Sequence, residues 1–218
     1  MNKKFKFDPH SYAGLDKLGR IPLLTHFYFR EFLYSEIAAH YNIRNVPDDI
    51  DSAVKSGQEL CRLLLEPLQE AFGRIHIRSG YRSRAVNEAG VEKHNCSIDN
   101  DGDHTWDFPS KSGNGSGAMA CVTVPRLSRL VLSNTVDISS IAWWIHDHLS
   151  HWSVIEFFAT PADIPFADEV AFNIGWHETP KRVIKNWRGG LRNLHDHIPD
   201  PESRKKAWIK LSEMPVSK

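Results

Sequence analysis

His104 and Asp107 stand three residues apart in the run Asp101-Gly-Asp-His-Thr-Trp-Asp-Phe-Pro109, among turn-formers and aromatics. Imidazole and carboxylate are ligand types of hydrolytic zinc sites, which take about three protein ligands and leave a position for a water that the metal acidifies. Twelve histidines supply further donors. His94 lies upstream in the same polar stretch, His177 ends an apolar run, His146, His148 and His151 gather at one helix end, and His195 and His197 follow near the C-terminus. Spacing alone does not make these a site. On a regular strand, residues three apart face opposite ways, so His104 and Asp107 can share an ion only across a bend. Asp101-Gly102-Asp103 is turn-rich enough to supply one, yet an isolated His/Asp pair in a loop is more often a hydrogen-bonded turn. Trp176-His177-Glu178 is equally open as a strand end. His148 and His151 are helical neighbours, but His146 is on another face and the HExxH arrangement is absent, so this group reads as a polar face.

The elements that must position these groups are partly legible. Thr25 is placed to cap a helix over Phe27–Tyr41, with Phe29, Phe32, Leu33, Ile37 and Ala38 at helical spacing. Pro47-Asp-Asp opens a second helix whose apolar positions run from Val54 to Phe72 on one face, with Gly73 as its stop. Arg74–Arg78 alternates as a strand, and the polar stretch Arg82–Asp103 reads as a long surface loop. Met119–Pro125 reads as a buried strand, Ile138–Leu149 as an amphipathic helix, and Val154–Phe158 and Val170–His177 as paired antiparallel strands. Their connection contains Pro161 and Pro165, Ser110–Gly117 reads as a mobile loop, and Gly189-Gly190 as a break. Two helices followed by strands mixed with a further helix predict an α+β domain.

The chain of 218 residues has equal numbers of acidic and basic residues, 27 of each, which argues against duplex nucleic acid as a partner. After Pro180 there are ten Lys/Arg against four Asp/Glu, and before it 17 against 23, so the C-terminal part reads as a basic tail, more often solvated than bound. Cys61, Cys96 and Cys121 lack CxxC spacing and are odd in number, which predicts reduced thiols. No apolar run reaches signal-peptide or membrane-spanning length. Synthesis as a cytoplasmic protein without its own export signal is the expectation.

One series of motifs changes the weight of the histidines. Glu66-Pro67-Leu68, then Ile75-His-Ile-Arg-Ser-Gly-Tyr-Arg-Ser83 and the residues on to Asn87, with LTHFYFREFLYSEIA upstream, resembles the zinc D-alanyl-D-alanine peptidases of the hedgehog/DD-peptidase fold, which cut peptidoglycan stem peptides and include phage endolysins. The resemblance covers about Leu24 to His177 and is densest from Leu60 to Asn87. It implies a single α+β domain over 23–180, helices packed on a small, mostly antiparallel sheet, with 1–22 as an extension and 181–218 as the basic tail. It also implies Zn²⁺ held by His104, Asp107 and His177, with His94 as the other candidate for the first ligand. Arg82 of Ser-Gly-Tyr-Arg-Ser matches the arginine that receives the substrate carboxylate, a task suited to a planar guanidinium.

Two positions depart from the family pattern. The first histidine stands seven residues before the aspartate in the family, and Asn100 is there in this chain. The general base stands three before the last histidine, and Ile174 is there. Glu178 and Glu156 are the remaining candidates to move the water's proton. The implied function is a zinc peptidase acting as a monomer on peptidoglycan stem peptides, with no membrane span, reaching the periplasm or cell wall after release, as a phage-type enzyme would. A non-catalytic cell-wall-peptide binding module, favoured by Ile174, and a structural docking protein on the same fold are the alternatives.

Overall fold

In the computed structural model, which describes residues 4–94, 96–111, 115–158, 169–187 and 192–213, short polar side chains open the first helices. Ser11 caps α1 (Tyr12–Gly19), Ser35 caps α2 (Glu36–Tyr41) and Asp49 caps α3 (Ile50–Leu60), each accepting backbone N–H groups of the first turn. The single helix expected over Phe27–Tyr41 is therefore two pieces. Phe29–Phe32 is a 3-10 turn, and Ser35 turns its hydroxyl to Ala38 N–H instead of continuing that winding.

The second expected helix is continuous but not uniform. α3 passes through a π-helical segment, Cys61–Leu65, into α4 (Glu66–Phe72), which stops at Gly73 with φ +85°. Pro67 has no N–H to return to that segment, and the wider turn accommodates its ring. After β1 (His76–Ser79) comes a correction: Arg84–Lys93 of the expected long loop forms α5, capped by Ser83. It buries only Val86, Asn87 and Gly90, too little apolar surface to show as a periodic stripe.

The chain continues with β2 (Gly117–Thr123), α6 (Pro125–Leu132), α7 (Ile138–His148), β3 (Trp152–Phe157), β4 (Ala171–His177), β5 (Val183–Asn186), β6 (Arg192–Asn193), a 3-10 turn at Leu194–His197 and α8 (Pro201–Glu213). Residues 112–114 of the Ser110–Gly117 loop, Pro161 and Pro165 of the β3–β4 connection, and Gly189-Gly190 lie outside the described residues.

The strands form one sheet in the order β1-β2-β4-β3-β5-β6. Every pairing is antiparallel except β3 with β5, so the protein is α+β with a mostly antiparallel sheet. The expected pairing of β3 with β4 is present, Ile155 opposite Ile174 and Phe157 opposite Phe172. One face, carrying Ala118, Ala120, Val122, Ile155, Phe172, Ile174 and Ile184, is fully buried in the core. The other carries Met119 and Cys121 on β2, Asn173, Gly175 and His177 on β4, and Glu156 on β3, by strand alternation. The outer segments join the same core: Leu18 and Ile21 before residue 23, and Ile184 and Leu211 after residue 180, are all part of it. The extension and tail drawn from sequence are thus continuous with the domain. All three cysteines are free thiols.

Candidate functional site

The segment Asp101–Pro109 is a series of turns, with one isolated bridge between Asp101 and Thr105. Its anchor is Trp106, 1% exposed, stacked on Phe29 with centroids 5.9 Å apart and tilted against Phe32 at 5.2 Å. The indole N–H donates to the Met119 carbonyl at 3.2 Å. Gly57 of α3 leaves the room, since a Cβ there would stand 2.8 Å from the indole. With Trp106 committed to the core, His104 and Asp107 on either side of it take separate partners. His104 Nδ1 bonds the Gly80 carbonyl at 2.7 Å, whereas Asp107 Oδ2 accepts the N–H groups of Asp48 at 2.8 Å and Asp49 at 3.3 Å, in the turn before α3.

The protonation of these groups follows from burial. Burial, and then the charge of Arg82, push the His104 imidazole down to about 3, against the Gly80 carbonyl, which favours the proton. The ring is neutral, carries its proton on Nδ1 and has a bare Nε2. Burial also pushes the Asp107 carboxyl up, opposed by the backbone N–H bonds it accepts.

His177 closes β4, opposite Gly117 in the ladder. Its ring packs where a Gly117 side chain would be: a Cβ there would lie 2.6 Å from His177 Cδ2 and 2.0 Å from the Gly102 carbonyl oxygen. Nδ1 accepts the Thr179 N–H at 2.9 Å, so a neutral ring keeps its proton on Nε2, which is buried without a hydrogen-bond partner. A zinc ion needs a bare imidazole nitrogen, and His177 has none to spare. Among the described residues, no three His, Cys, Asp or Glu are close enough together to hold a metal. In this arrangement His104, Asp107 and His177 do not fit a common ion. His94 does not take the place of His104: its Nε2 is 3.1 Å from the Tyr41 hydroxyl of α2.

The two candidate bases are also engaged. Glu178 Oε2 accepts the Ser116 N–H at 2.8 Å, and Oε1 stands 3.8 Å from Lys55 Nζ. Glu156 accepts at both oxygens, from Asn173 Nδ2 at 3.1 Å and from the Trp187 indole N–H at 2.8 Å. Ile174 is in the core, on the opposite face of the sheet from Glu156. The cluster of His146, His148 and His151 is remote in role: His146 bonds Asp147, His148 stacks on Trp144 at 4.5 Å, and His151 bonds Ser150.

Arg82 is the member of the expected set that is placed to receive a ligand. It follows β1, and its backbone N–H donates to the His104 carbonyl at 2.8 Å, joining the Ser-Gly-Tyr-Arg-Ser turn to the Asp101–Pro109 segment. Its guanidinium is half-buried and contacts Cys96 Sγ at 3.3 Å. Its neighbours are paired: Arg78 with Glu169 at 2.9 Å, and Arg84 with Asp101 at 2.8 Å and over the Phe108 ring. No carboxylate among the described residues reaches ion-pair distance of Arg82. Beside it, Ser79 of β1 pairs with Cys121 of β2, which pairs with Asn173 of β4, which pairs with Glu156 of β3. Burial pushes the Cys121 thiol up to about 11, with the charges of Arg78 and Arg82 opposing.

Glu156 of this row is a candidate base in the sequence, whereas Asn173 is not singled out there. Its signal is the alternation within β4, where Phe172, Ile174 and Trp176 interleave with Asn173, Gly175 and His177. The arrangement offers an anion the guanidinium of Arg82, and within the row Asn173 donates to Glu156. No family model matches the chain, and no curated protein or solved structure does.

Proposed function

We propose that the chain is a recognition module for carboxylate-bearing cell-wall peptides, built on a scaffold of the hedgehog/DD-peptidase type. The observation that carries this reading is Arg82, a half-buried guanidinium with no acid at ion-pair distance among the described residues, in the Ser-Gly-Tyr-Arg-Ser turn. A cation withdrawn from water and left without a counter-charge is costly unless a ligand completes it. A terminal carboxylate matches its planar fork of donors. The engagement of Glu156, Glu178 and Ile174 supports recognition over cleavage, because no side chain in the expected positions is free to take a proton from water. The ligand class is a peptidoglycan stem peptide, and the equal acidic and basic totals disfavour nucleic acid. No helix among the described residues is long and apolar enough to cross a membrane.

The test is calorimetric titration of the purified full chain with a synthetic stem peptide ending in a free carboxylate, beside Arg82→Ala and a C-terminally amidated peptide. Binding that is lost with either change supports the reading. Binding indifferent to both removes it.

A zinc peptidase is the second reading; it requires His177 to turn from the Thr179 N–H before the three groups can share an ion, and one set of observations favours it. His104 holds its Nδ1–H on a backbone carbonyl, the support common to metal-ligating histidines, and Asp107 Oδ1 is buried without a partner. Elemental analysis of the purified protein for zinc, with chelator-sensitive release of peptides from peptidoglycan, would establish this reading over the first.

A further inference from the structure

A cavity of about 800 Å³ opens between α1, α2 and the segment Asn42–Val46. That is the size of a site for one small organic molecule. Leu33, Ala38, Ile43 and Val46 give it an apolar wall, and Tyr12, Leu15 and Tyr34 line it with side chains left exposed to water. Large apolar groups gathered in water at one concave place mark a binding groove. The wall is held in advance. Asn45 Nδ2 donates to the Leu33 carbonyl at 2.9 Å and to the Tyr81 carbonyl at 2.8 Å, and its Oδ1 accepts the Ser83 N–H at 2.8 Å. A ligand therefore meets a surface that it does not have to order.

Charge decides what the polar end of that ligand is. Asp16 is the one acid among the described residues that line the cavity. Its carboxylate is already shared, with Arg20 at 2.9 Å and Arg30 at 3.8 Å, and Arg30 also donates Nε to the Gly19 carbonyl at 3.2 Å. Arg44, the second guanidinium in the cavity, donates to the carbonyl of His10, and no carboxylate among the described residues reaches ion-pair distance of it. A neutral carbonyl occupies part of the five-donor fork and fixes its position, but leaves the charge unmatched.

We propose that this cavity is a second binding site, for a small amphiphilic anion. The apolar body of the ligand packs on Leu33, Ala38, Ile43 and Val46 beside the two tyrosines, and its acidic head group pairs with Arg44. The site goes beyond the carboxylate-recognition reading and stands without it, since Arg82 lines no part of the cavity. A cationic ligand would meet two guanidinium groups against one carboxylate, and a neutral one would leave Arg44 as it is.

The experiment titrates the full chain with two fluorescent probes, 8-anilinonaphthalene-1-sulfonate and N-phenyl-1-naphthylamine, which differ in the sulfonate alone. Wild type is expected to bind each at one saturable site, the sulfonate about tenfold more tightly, the worth of one charge-assisted hydrogen bond. Arg44→Ala is expected to lose that preference and keep the neutral probe. Arg44→Lys, which keeps the charge and a donor for the His10 carbonyl, is expected to retain most of it. Ala39 is exposed on α2 and lines the cavity, so Ala39→Trp fills the space and is expected to weaken both probes about tenfold or more. Lys206→Ala on α8 is expected to change neither. Absence of saturable binding in the wild type overturns the proposal, as does a sulfonate preference that survives Arg44→Ala. Binding indifferent to Ala39→Trp, or a sulfonate site lost with Arg82→Ala instead, places the anion elsewhere and also overturns it. None of these outcomes touches recognition through Arg82, which the stem-peptide titration tests. Thermal unfolding of each variant shows that the comparison is made between folded proteins.

Discussion

Asp147 Oδ2 accepts the indole N–H of Trp208 across 2.9 Å, and this bond ties α8 to α7. The other oxygen accepts from Arg204 Nε at 2.8 Å and meets His146 Nδ1 at 2.9 Å. Trp208 also packs edge-on to His148 with centroids 4.6 Å apart. Two side chains of α8 thus meet on one carboxylate of α7, with Leu211 set into the core beside them.

Partial burial raises the Asp147 carboxyl, but the bonds from His146, Trp208 and Arg204 outweigh it and hold it below the ordinary carboxylate value. A depressed carboxylate contributes stability above its unfolded value of about 3.9, and the contribution is lost as pH falls through the folded value. Asp147→Asn should cost about 1 kcal/mol near neutrality and flatten the loss of stability below about pH 4. Urea unfolding followed by tryptophan fluorescence at several pH values measures both. An unchanged acid limb in the variant would show that α8 is held by packing alone.

His104 predicts a second pH dependence, of different origin. The ring is buried neutral with its folded value pushed down to about 3, whereas the unfolded chain takes up a proton near pH 6.5. Acid therefore favours the unfolded state. The contribution is complete above about pH 6.5 and falls by about 1.4 kcal/mol per pH unit as pH drops from there toward the folded value. His104→Asn can still donate to the Gly80 carbonyl but does not titrate. It should remove this slope between pH 6.5 and 4, measured as the difference in unfolding free energy between the two proteins.

Gly117 is the close approach on which the His177 corner depends. A methyl there would collide with the Gly102 carbonyl oxygen at 2.0 Å and with His177 Cδ2 at 2.6 Å. Gly117→Ala should destabilise by about 2 kcal/mol or more and shift the His177 ring resonances. Gly175→Ala, on the same strand face as His177, meets Met119 Cβ at 3.3 Å, which a slight side-chain movement can relieve. The second substitution should cost much less, as a comparison of thermal midpoints will reveal.

What was legible in the sequence divides along a physical line. β3 and β4 and α7 declare themselves as apolar runs of strand and helix length, and Gly73 ends α4 because its φ of +85° suits glycine. α5 escapes notice because it is mostly polar and its cap, Ser83, sits inside a motif that draws attention for other reasons. The His104–Asp107 spacing is visible, but the directions of the two side chains are set by Trp106 between them, and by Gly80 and the Asp48–Asp49 turn, which lie far away in the chain. The same holds for Asn173, whose amide is oriented by Glu156 on β3, itself bonded by Trp187 just after β5. Local pattern predicts elements, and the partners that orient a side chain come from the way those elements meet.

The π-helical segment Cys61–Leu65 acts as a phase adjuster in the long helical run. A π turn takes up about one residue more than an α turn, and each α-helical residue advances the winding by about 100°. α3 presents Gly57 to Trp106, while α4 presents Phe72 to Trp144 at a centroid distance of 4.6 Å. Excising a single residue from the segment would let it close as an ordinary α turn with both faces kept, whereas excising one from α3 or α4 would swing one of these faces away from its neighbour by more than a quarter turn. The extra residue is thus absorbed where it stands, and the two ends of one helical run are kept facing two different parts of the protein.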